Sequence, residues 1–458
     1  MERTLILFIL VLAFVCCSVI SASAQRGDKA VARQIDDLAA SVLAKPTAGL
    51  SVAVARDGRT IFSRGYGIAN VEHSVPVSTD TVFHIASISK NILAAVLLQL
   101  VESGKLSLDD EVKKYVPETP THGIPITVRQ LINHTSGIYS FTSLPNADSN
   151  ERLDLTHQQV LDLIKDMPLD FEPGTAWRYD NSAFYIAGMV VERVTDQNYG
   201  EYVRQHVFLP LGMASARMCD AHMIVPHLSA GYESNGKAIV NAPFMSWKLP
   251  SAAGAICTTA ADLIKWQVAL DSGRLLSPGM LRLMRTPTTL RDGTVIDYGF
   301  GTRVGSMDGH PVLGHTGNGG GFGSVLLNYP NDHLTVVVLM NTGSSSHAAL
   351  EIAAKIGRMI LKVTPEKQVD LPVPADELNV LPGFYDSDEG PVEVFTDNSK
   401  LHFRIPGTEV SGILKRQGRN WYAVNSDTEV HFLVRNGNCV WNSVYLDGLF
   451  MDSKRRKP

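Results

Sequence analysis

The amino-acid sequence predicts an α+β protein in which an antiparallel sheet packs against a helical region and is followed by a small all-β, barrel-like unit. Two observations predict the first part. Hairpin patterns lie at residues 49–70 and 321–343, and the patterns between them are mostly helical. Strands at both ends with helices in the middle favour a sheet closed by distant segments. Short alternating runs after residue 377 predict the all-β unit.

The elements of the first region, residues 30–362, follow from local patterns. The first hairpin is expected to turn at residues 56–59 (Arg-Asp-Gly-Arg) and the second at residues 329–332 (Tyr-Pro-Asn-Asp), because such residues favour tight turns. Between the hairpins, apolar side chains recur at helical spacing in several segments. These segments are residues 88–102, 156–167, 181–195 and 258–273.

A change of composition separates this region from the rest of the chain. Residues 363–377 contain three prolines and several acidic residues with little periodicity, which is typical of a linker. Residues 378–450 then show short alternating runs separated by pairs such as Pro-Gly and Asn-Gly. The sequence therefore predicts a separate all-β unit, a small barrel or sandwich, after the linker.

The N-terminus has the pattern of an export signal. An early positive charge precedes an apolar run over residues 5–20 and the small residues Ala-Ser-Ala at 22–24. This order predicts a signal peptide over residues 1–24, cleaved after Ala24, and a periplasmic or secreted mature protein. A retained anchor is disfavoured because the run is short for a bilayer, and a lipoprotein because bulky residues precede the two early cysteines. After cleavage we expect no integral membrane segment.

Composition excludes several classes of function. With a net charge of -5 and interspersed charges, the chain has no broad basic surface, so no nucleic-acid partner is expected. Histidines and cysteines lack metal-ligand spacing, so no metal site is expected. The mature chain would retain Cys219, Cys257 and Cys439. Export permits a bridge between Cys219 and Cys257, but nothing in the sequence shows the distance between them, and we expect buried unpaired thiols.

Ser87 and Lys90 stand three residues apart at the head of an apolar helical stretch. On a helix they share a face, and burial of that face would lower the pKa of the lysine until it could take the serine proton. The alternative is an ordinary serine cap followed by a surface lysine. A second copy of the pattern, Ser234 to Lys237, contains glycine and asparagine and precedes no apolar helix, which indicates a turn.

Two later stretches favour the catalytic interpretation of the first copy. Tyr179 and Asn181 come just before a predicted helix, and His315-Thr316-Gly317 leads into a glycine-rich strand. A tyrosine near a lysine can relay protons, an amide can bond a substrate amide, and a strand edge can hold an extended substrate.

Ser-x-x-Lys, Tyr-x-Asn and His-Thr-Gly, in this order, resemble the motifs of the serine β-lactamase and penicillin-binding protein superfamily. The resemblance is closest to the class C β-lactamase-related branch, which includes D-alanyl-D-alanine carboxypeptidases, D-aminopeptidases and carboxylesterases. It covers about residues 30–360 and extends to segments such as LINHTSGI, FEPGTAWRYDN and YGFGTRVG. It implies a β-lactamase/transpeptidase-like fold, and the C-terminal unit resembles the small β-barrel domains appended to some members.

The resemblance implies acyl transfer through a serine ester, with four catalytic residues and no need for a cofactor or metal. Ser87 would be the nucleophile, and Lys90 and Tyr179 would share the general base and acid work. His315 would complete the proton network and meet a substrate carboxylate.

The resemblance also implies four substrate-binding residues. Asn181 would bond the acyl side chain, and the strand that contains Thr316 and Gly317 would hold the substrate backbone. The oxyanion would lie between the backbone N–H groups of Ser87 and Asn318. His134, Trp177 and Phe322 lie close to motifs. We expect His134 to be structural, and the two aromatic residues to belong to the core more readily than to the cleft.

Two departures from the family pattern bear on the substrate. His315 stands where dedicated class C β-lactamases have lysine, which implies weak or no β-lactamase activity. The Ser-Asp-Asn motif and distal glutamate of class A enzymes have no counterpart, so deacylation should follow another route.

The sequence thus predicts an exported serine hydrolase that forms an acyl-enzyme on amide or ester bonds. The substrates expected first are D-amino-acid peptides, which include peptidoglycan fragments, and small esters or β-lactams are the other candidates. Two alternatives are a carboxylesterase and a non-catalytic protein that binds cell-wall peptides.

Overall fold

A computed structural model describes residues 29–343, 346–365, 367–385, 391–425 and 427–455. The signal peptide expected at residues 1–24 lies outside the described residues. In the part of the chain that is described, no helix has both the length and the apolar character needed to cross a membrane.

The described chain contains runs of strands at both ends of the first region and in the C-terminal unit, with most of the helices between them. The strands are β1 (Gly49–Arg56), β2 (Arg59–Asn70), β3 (Val75–Pro76), β4 (Phe83–His84), β5 (Arg217–Met218), β6 (Tyr232–Ser234), β7 (Ile239–Asn241), β8 (Ile256–Thr258), β9 (Thr288–Thr289), β10 (Val295–Ile296), β11 (Arg303–Met307), β12 (His310–Gly319), β13 (Phe322–Tyr329), β14 (Leu334–Met340), β15 (Gly383–Tyr385), β16 (Val392–Asp397), β17 (Lys400–Arg404), β18 (Ser411–Gly418), β19 (Trp421–Ala423), β20 (Thr428–Arg435), β21 (Asn438–Leu446) and β22 (Leu449–Arg455). The α-helices are α1 (29–43), α2 (Ser89–Glu102), α3 (Val128–Ile132), α4 (Ala147–Asn150), α5 (His157–Ile164), α6 (Asn181–Thr195), α7 (Tyr199–Val203), α8 (Ser251–Gly254), α9 (Ala260–Asp271), α10 (Pro278–Arg285), α11 (Ser346–Leu361) and α12 (Ala375–Val380).

The central antiparallel sheet joins the two ends of the first region, as the sequence predicts. Its order through the middle is β11-β12-β13-β14-β1-β2-β3, so β1 pairs with β14, where Val52 lies opposite Val338. Successive residues of β1 enter different clusters: Leu50 and Val52 pack with residues of α1 and α11, whereas Ala53 packs with the helical region that contains α2. Burial on both faces explains why β1 is an almost continuous apolar run.

The predicted helices and turns of this region are confirmed. The segments expected to be helical contain α2, α5, α6 and α9, and α6 has the predicted bounds. Both hairpins also turn where expected, between β1 and β2 and between β13 and β14. Helix α2 is buried on nearly all sides, which fits its apolar composition and places its N-terminus in the interior.

The C-terminal strands β15 to β22 are antiparallel and continue the central sheet, because β22 pairs with β11 through Leu449 and Gly305. A Cβ atom on Gly305 would lie 2.0 Å from the carbonyl oxygen of Gly448, so the close approach requires glycine. Trp441 and Phe450 of this unit also share a hydrophobic cluster with Tyr298. The boundaries of the expected linker and unit stay predictions, although α12 begins within the last three linker positions.

The expectation that the cysteines stay unpaired is wrong for Cys219 and Cys257, which form a disulfide with their Cα atoms 5.8 Å apart. The cause is the pairing of β5 with β8, in which Arg217 lies opposite Cys257. These strands have two and three residues, too few to be recognised from periodicity. Cys439 is buried, and its sulfur lies 3.1 Å from the hydroxyl of Tyr385.

Candidate active site

Ser87 and Lys90 meet at the N-terminal end of α2. Ser87 lies in a single 3-10 turn, Ala86–Ile88, that runs directly into the helix, and its side chain is partly exposed. Ala86, the residue before it, has a φ of 43°, an uncommon conformation for a residue other than glycine that is often found beside functional groups. Lys90 lies one turn later and is fully buried. The structure therefore presents the serine to solvent and keeps the lysine beneath it.

The Lys90 amine has three neighbours, and their chemistry determines its protonation state. Its Nζ atom lies 2.7 Å from the side-chain oxygen of Asn181, 3.0 Å from the carbonyl oxygen of Ala253 and 2.9 Å from Ser87 Oγ. Burial, and then the positive charge of Arg303, hold the pKa of Lys90 well below its usual range. A neutral amine has two N–H groups and one lone pair, so the two acceptors take the N–H groups and the lone pair faces the serine hydroxyl.

Tyr179 lies on the other side of the pair, immediately before α6. The Lys90 Nζ atom is 4.9 Å from the centre of its ring. Burial raises the pKa of Tyr179 to about 12, although the charge of Arg303 and a hydrogen bond with Ser87 act in the opposite direction. The phenol is therefore protonated at neutral pH and can act as a proton donor.

Asn181 is held at the first position of α6. Its backbone N–H donates to Ser140 Oγ at 3.1 Å, and its side-chain NH₂ donates to Thr142 Oγ1 at the same distance. With its oxygen on Lys90 and its nitrogen on Thr142, the amide has a fixed orientation. The residue expected to bind the substrate thus also takes part in positioning the amine.

Strand β12 brings the third motif against Ser87. Thr316 and Gly317 are buried, and Asn318 is exposed at the open end of the strand. A Cβ atom on Gly317 would lie 3.0 Å from the backbone nitrogen of Ser87 and 2.2 Å from the carbonyl oxygen of Ile85. The backbone of the third motif therefore contacts the turn that contains the nucleophile, where the expected oxyanion donors lie.

The prediction that His315 meets a substrate carboxylate as a cation does not agree with the structure. Its side chain is 1% exposed, Nδ1 lies 2.6 Å from the carbonyl oxygen of Thr316, and Nε2 lies 3.1 Å from the hydroxyl of Tyr298. Burial, and then the charges of Arg303 and Lys90, hold its pKa well below the usual range. His315 is therefore neutral, with both ring nitrogens occupied.

These contacts form a chain with one consistent direction of hydrogen bonding. The backbone N–H of Asp180 donates to His134 Nδ1, so the neutral His134 ring has its proton on Nε2, 3.2 Å from Tyr298. The Tyr298 hydroxyl then donates to His315 Nε2, and His315 Nδ1 donates to its carbonyl partner. The expected structural role of His134 agrees with this position, since its ring centre also lies 4.4 Å from that of Tyr179.

Sequence reasoning did not single out three neighbours of the site, namely Asp180, Tyr298 and Arg303. Burial raises the pKa of Asp180 to about 7, and the Cζ atom of Arg303 lies 5.5 Å from the ring centre of Tyr179. Tyr298 and Arg303 belong to the segment YGFGTRVG. The resemblance of this segment to the family is the sequence feature that could have pointed to these two residues.

The remaining sequence candidates lie away from the reactive groups. Trp177 packs with Tyr298 and Phe450, and Phe322 packs beside Trp247, so both are buried core residues. Ser234 ends β6, where its Oγ accepts a hydrogen bond from a turn N–H, as the turn interpretation predicts. Within the described residues, no group of three or more His, Cys, Asp or Glu side chains is arranged to hold a metal ion.

We expect Gly317→Ala to slow covalent labelling of Ser87 by a fluorophosphonate about 100-fold, because a displacement of about 1 Å at a reacting group costs that much. The new methyl group would force Ile85 or β12 to move. The matched control is Gly279→Ala in α10, where the nearest atom would be 3.8 Å away. Equal labelling rates for the two variants would contradict the close contact between Gly317 and the nucleophile turn.

Comparisons with known proteins agree with this geometry. A family model described as Beta-lactamase matches residues 31–357. Penicillin-binding protein 4* of Bacillus subtilis (strain 168) is 23% identical over 435 residues, which cover 89% of this chain and 95% of the relative. D-aminopeptidase of Gluconobacter oxydans (strain 621H) is 28% identical over 337 residues, which cover 71% of this chain but only 62% of the relative. The structure of a D-stereospecific amidohydrolase from Streptomyces sp. has a TM-score of 0.60 and 28% identity, and the match covers 71% of this chain and 98% of that one.

Proposed function

Because this chain belongs to the β-lactamase family and is a serine hydrolase, we propose that it forms an acyl-enzyme on Ser87 and that its substrates are amides or short peptides of D-amino acids. One observation supports this mechanism above the others: a fully buried Lys90 amine, with both N–H groups bound to acceptors, lies 2.9 Å from the serine hydroxyl. An amine in this position can act as the base that accepts the proton of the Ser87 hydroxyl.

In the acylation step, Ser87 Oγ attacks the carbonyl carbon of the substrate while Lys90 takes the hydroxyl proton. The oxyanion that forms is held by the backbone N–H groups of Ser87 and Asn318, and each such donor contributes about 3 kcal/mol to stabilising the transition state. Tyr179 then gives its proton to the leaving nitrogen or oxygen and recovers one from the Lys90 ammonium. The products are the serine ester and the protonated leaving group, and water completes hydrolysis by the reverse sequence.

The choice of substrate rests on the relatives and on His315. The D-aminopeptidase and the D-stereospecific amidohydrolase support D-amino-acid amides, and peptidoglycan fragments are one natural source of such bonds. A neutral His315 offers no charge to a substrate carboxylate, which argues against penicillins and peptides with a free C-terminus as good substrates. The same neutrality favours the second candidate, a carboxylesterase, because simple esters need no cation.

A hydrolysis panel with the full chain tests this proposal. We expect D-phenylalanine amide to be cleaved much faster than its L enantiomer, the matched control, and a chromogenic cephalosporin to be cleaved slowly. Rapid turnover of p-nitrophenyl esters with no amide cleavage would replace the peptidase proposal with the esterase. Absence of both turnover and fluorophosphonate labelling would favour the non-catalytic peptide-binding protein.

We propose that the protein is exported to the periplasm or secreted. The N-terminal pattern supports this location, and so does the disulfide between Cys219 and Cys257, since such bonds persist mainly in oxidising compartments. We expect N-terminal sequencing of the mature protein to begin at Gln25. A mature chain that retains Met1 would contradict cleavage.

A further inference from the structure

A buried guanidinium lies directly behind the catalytic tyrosine. Arg303 is the first residue of β11, where it pairs with Gly314 of β12, the neighbour of His315. Its side chain is only slightly exposed, and its Cζ atom lies 5.5 Å from the ring centre of Tyr179 and 5.9 Å from that of Tyr298. The cation is thus placed against the faces of two aromatic rings of the site.

The hydrogen-bond partners of Arg303 are neutral and come from the C-terminal unit. Its Nη1 donates to the carbonyl oxygen of Phe450 at 3.1 Å and to that of Met451. Within the described residues no carboxylate lies within ion-pair distance of it, and its buried Nε atom has no hydrogen-bond partner. Burying a charge without a counter-ion is costly. We therefore expect the positive charge of Arg303 to have a function in the site.

The groups that face this charge are those of the proton pathway. Lys90 comes from α2, His134 from the turn after α3, Tyr179 and Asp180 from the segment just before α6, Tyr298 from the segment before β11, and His315 from β12. A fixed positive charge disfavours the protonated form of Lys90 and favours the deprotonated form of Tyr179. Asp180 is the one acidic group among them, and its charge acts on Lys90 in the opposite direction.

We propose that Arg303 is a positioning residue of the reaction: its charge, held in place by carbonyl oxygens of β22, keeps Lys90 neutral and stabilises the transient anion of Tyr179. This inference rests on the proposed roles of Lys90 and Tyr179. It also gives the C-terminal unit a part in catalysis, because two of its carbonyl oxygens fix the guanidinium.

The test is the pH dependence of kcat/KM for a neutral ester in Arg303→Met. Without the cation the pKa of Lys90 rises, so the acid limb, where the base becomes protonated, moves to higher pH. The pKa of Tyr179 rises as well, so the alkaline limb moves in the same direction. We expect both limbs to shift upward by at least about one pH unit, because one charge has that effect at about 10 Å and an effective dielectric constant of about 20, and Arg303 lies closer than this to Tyr179.

Three further variants test whether the shift of the two pH limbs is caused by the charge of Arg303 acting on Lys90 and Tyr179. Arg303→Lys keeps the charge and is expected to keep both limbs near those of the wild type. Repeating the comparison in an Asp180→Asn background is expected to give the same shift, because the proposal assigns it to Lys90 and Tyr179 and not to Asp180. Arg358→Met removes another partly buried arginine at the same interface, which bonds Asp308 and Asp447, and should leave the limbs in place.

If Arg303→Met does not fold, Arg303→Gln serves for the same measurement, since its amide can still donate to the carbonyl oxygen of Phe450. A fall in kcat at every pH with both limbs unmoved would overturn the proposal and leave Arg303 a structural residue. Failure of the proposed function is a different result, namely a wild-type protein in which labelling and hydrolysis do not depend on Ser87.

Discussion

Ser87→Ala is expected to abolish hydrolysis and fluorophosphonate labelling while the protein stays folded. The Ser87 hydroxyl is the group that accepts the acyl chain, and loss of a nucleophilic serine typically costs on the order of 10⁶-fold in kcat. The side chain is partly exposed and small, and Lys90 keeps its bonds to Asn181 and Ala253, so we expect little change in the free energy of unfolding. Labelling is followed by mass spectrometry and folding by circular dichroism.

The matched control is Ser234→Ala, in the second Ser-x-x-Lys copy of the chain. Ser234 is at the end of β6, and its Oγ accepts a hydrogen bond from the N–H of Gly236 at 3.2 Å. We expect this variant to keep full activity and labelling. If the Ser87→Ala variant were as active as the Ser234→Ala variant, Ser87 would not be the nucleophile and the proposed mechanism would be wrong.

The features that could be predicted from the sequence are those that local periodicity reports. Helix α6 begins at Asn181 as predicted, because polar residues end and an apolar 3.6-residue pattern begins there. The two copies of Ser-x-x-Lys could be separated for the same reason, since only Ser87 precedes an apolar helix. The meeting of Ser87, Lys90 and Asn181 was predictable because their two motifs and the third, His-Thr-Gly, come in a recognisable order.

The features that could not be predicted depend on tertiary burial. Arg303 begins a short strand, and the carbonyl oxygen that anchors it lies 147 residues later in the chain. His315 was expected to meet a substrate carboxylate, but burial in the sheet holds its pKa well below the usual range, a property that no neighbour in sequence reports. The site thus combines motifs visible in the sequence with a charge that the C-terminal unit holds in place.

Lys90→Ala and Tyr179→Phe are each expected to lower kcat/KM by about 10³-fold or more, and the double variant is expected to lose little beyond the worse single one. The two residues serve one proton pathway: Lys90 takes a proton from the serine, and Tyr179, whose pKa of about 12 keeps it protonated, gives its own proton to the leaving group and recovers one from Lys90. Losses along one pathway are not additive, because removing one step already stops the transfer.

The double-mutant cycle is measured as kcat/KM on a D-amino-acid amide and on a neutral ester. Lys265→Ala is the matched lysine control, because Lys265 pairs with Asp262 in α9 and its side chain is 47% exposed. We expect the loss from Tyr179→Phe to be smaller for an ester with a p-nitrophenolate leaving group, which departs without a proton, than for an amide. Fully multiplicative losses, with equal effects on both substrates, would show that the two residues act independently and that Tyr179 does not serve the leaving group.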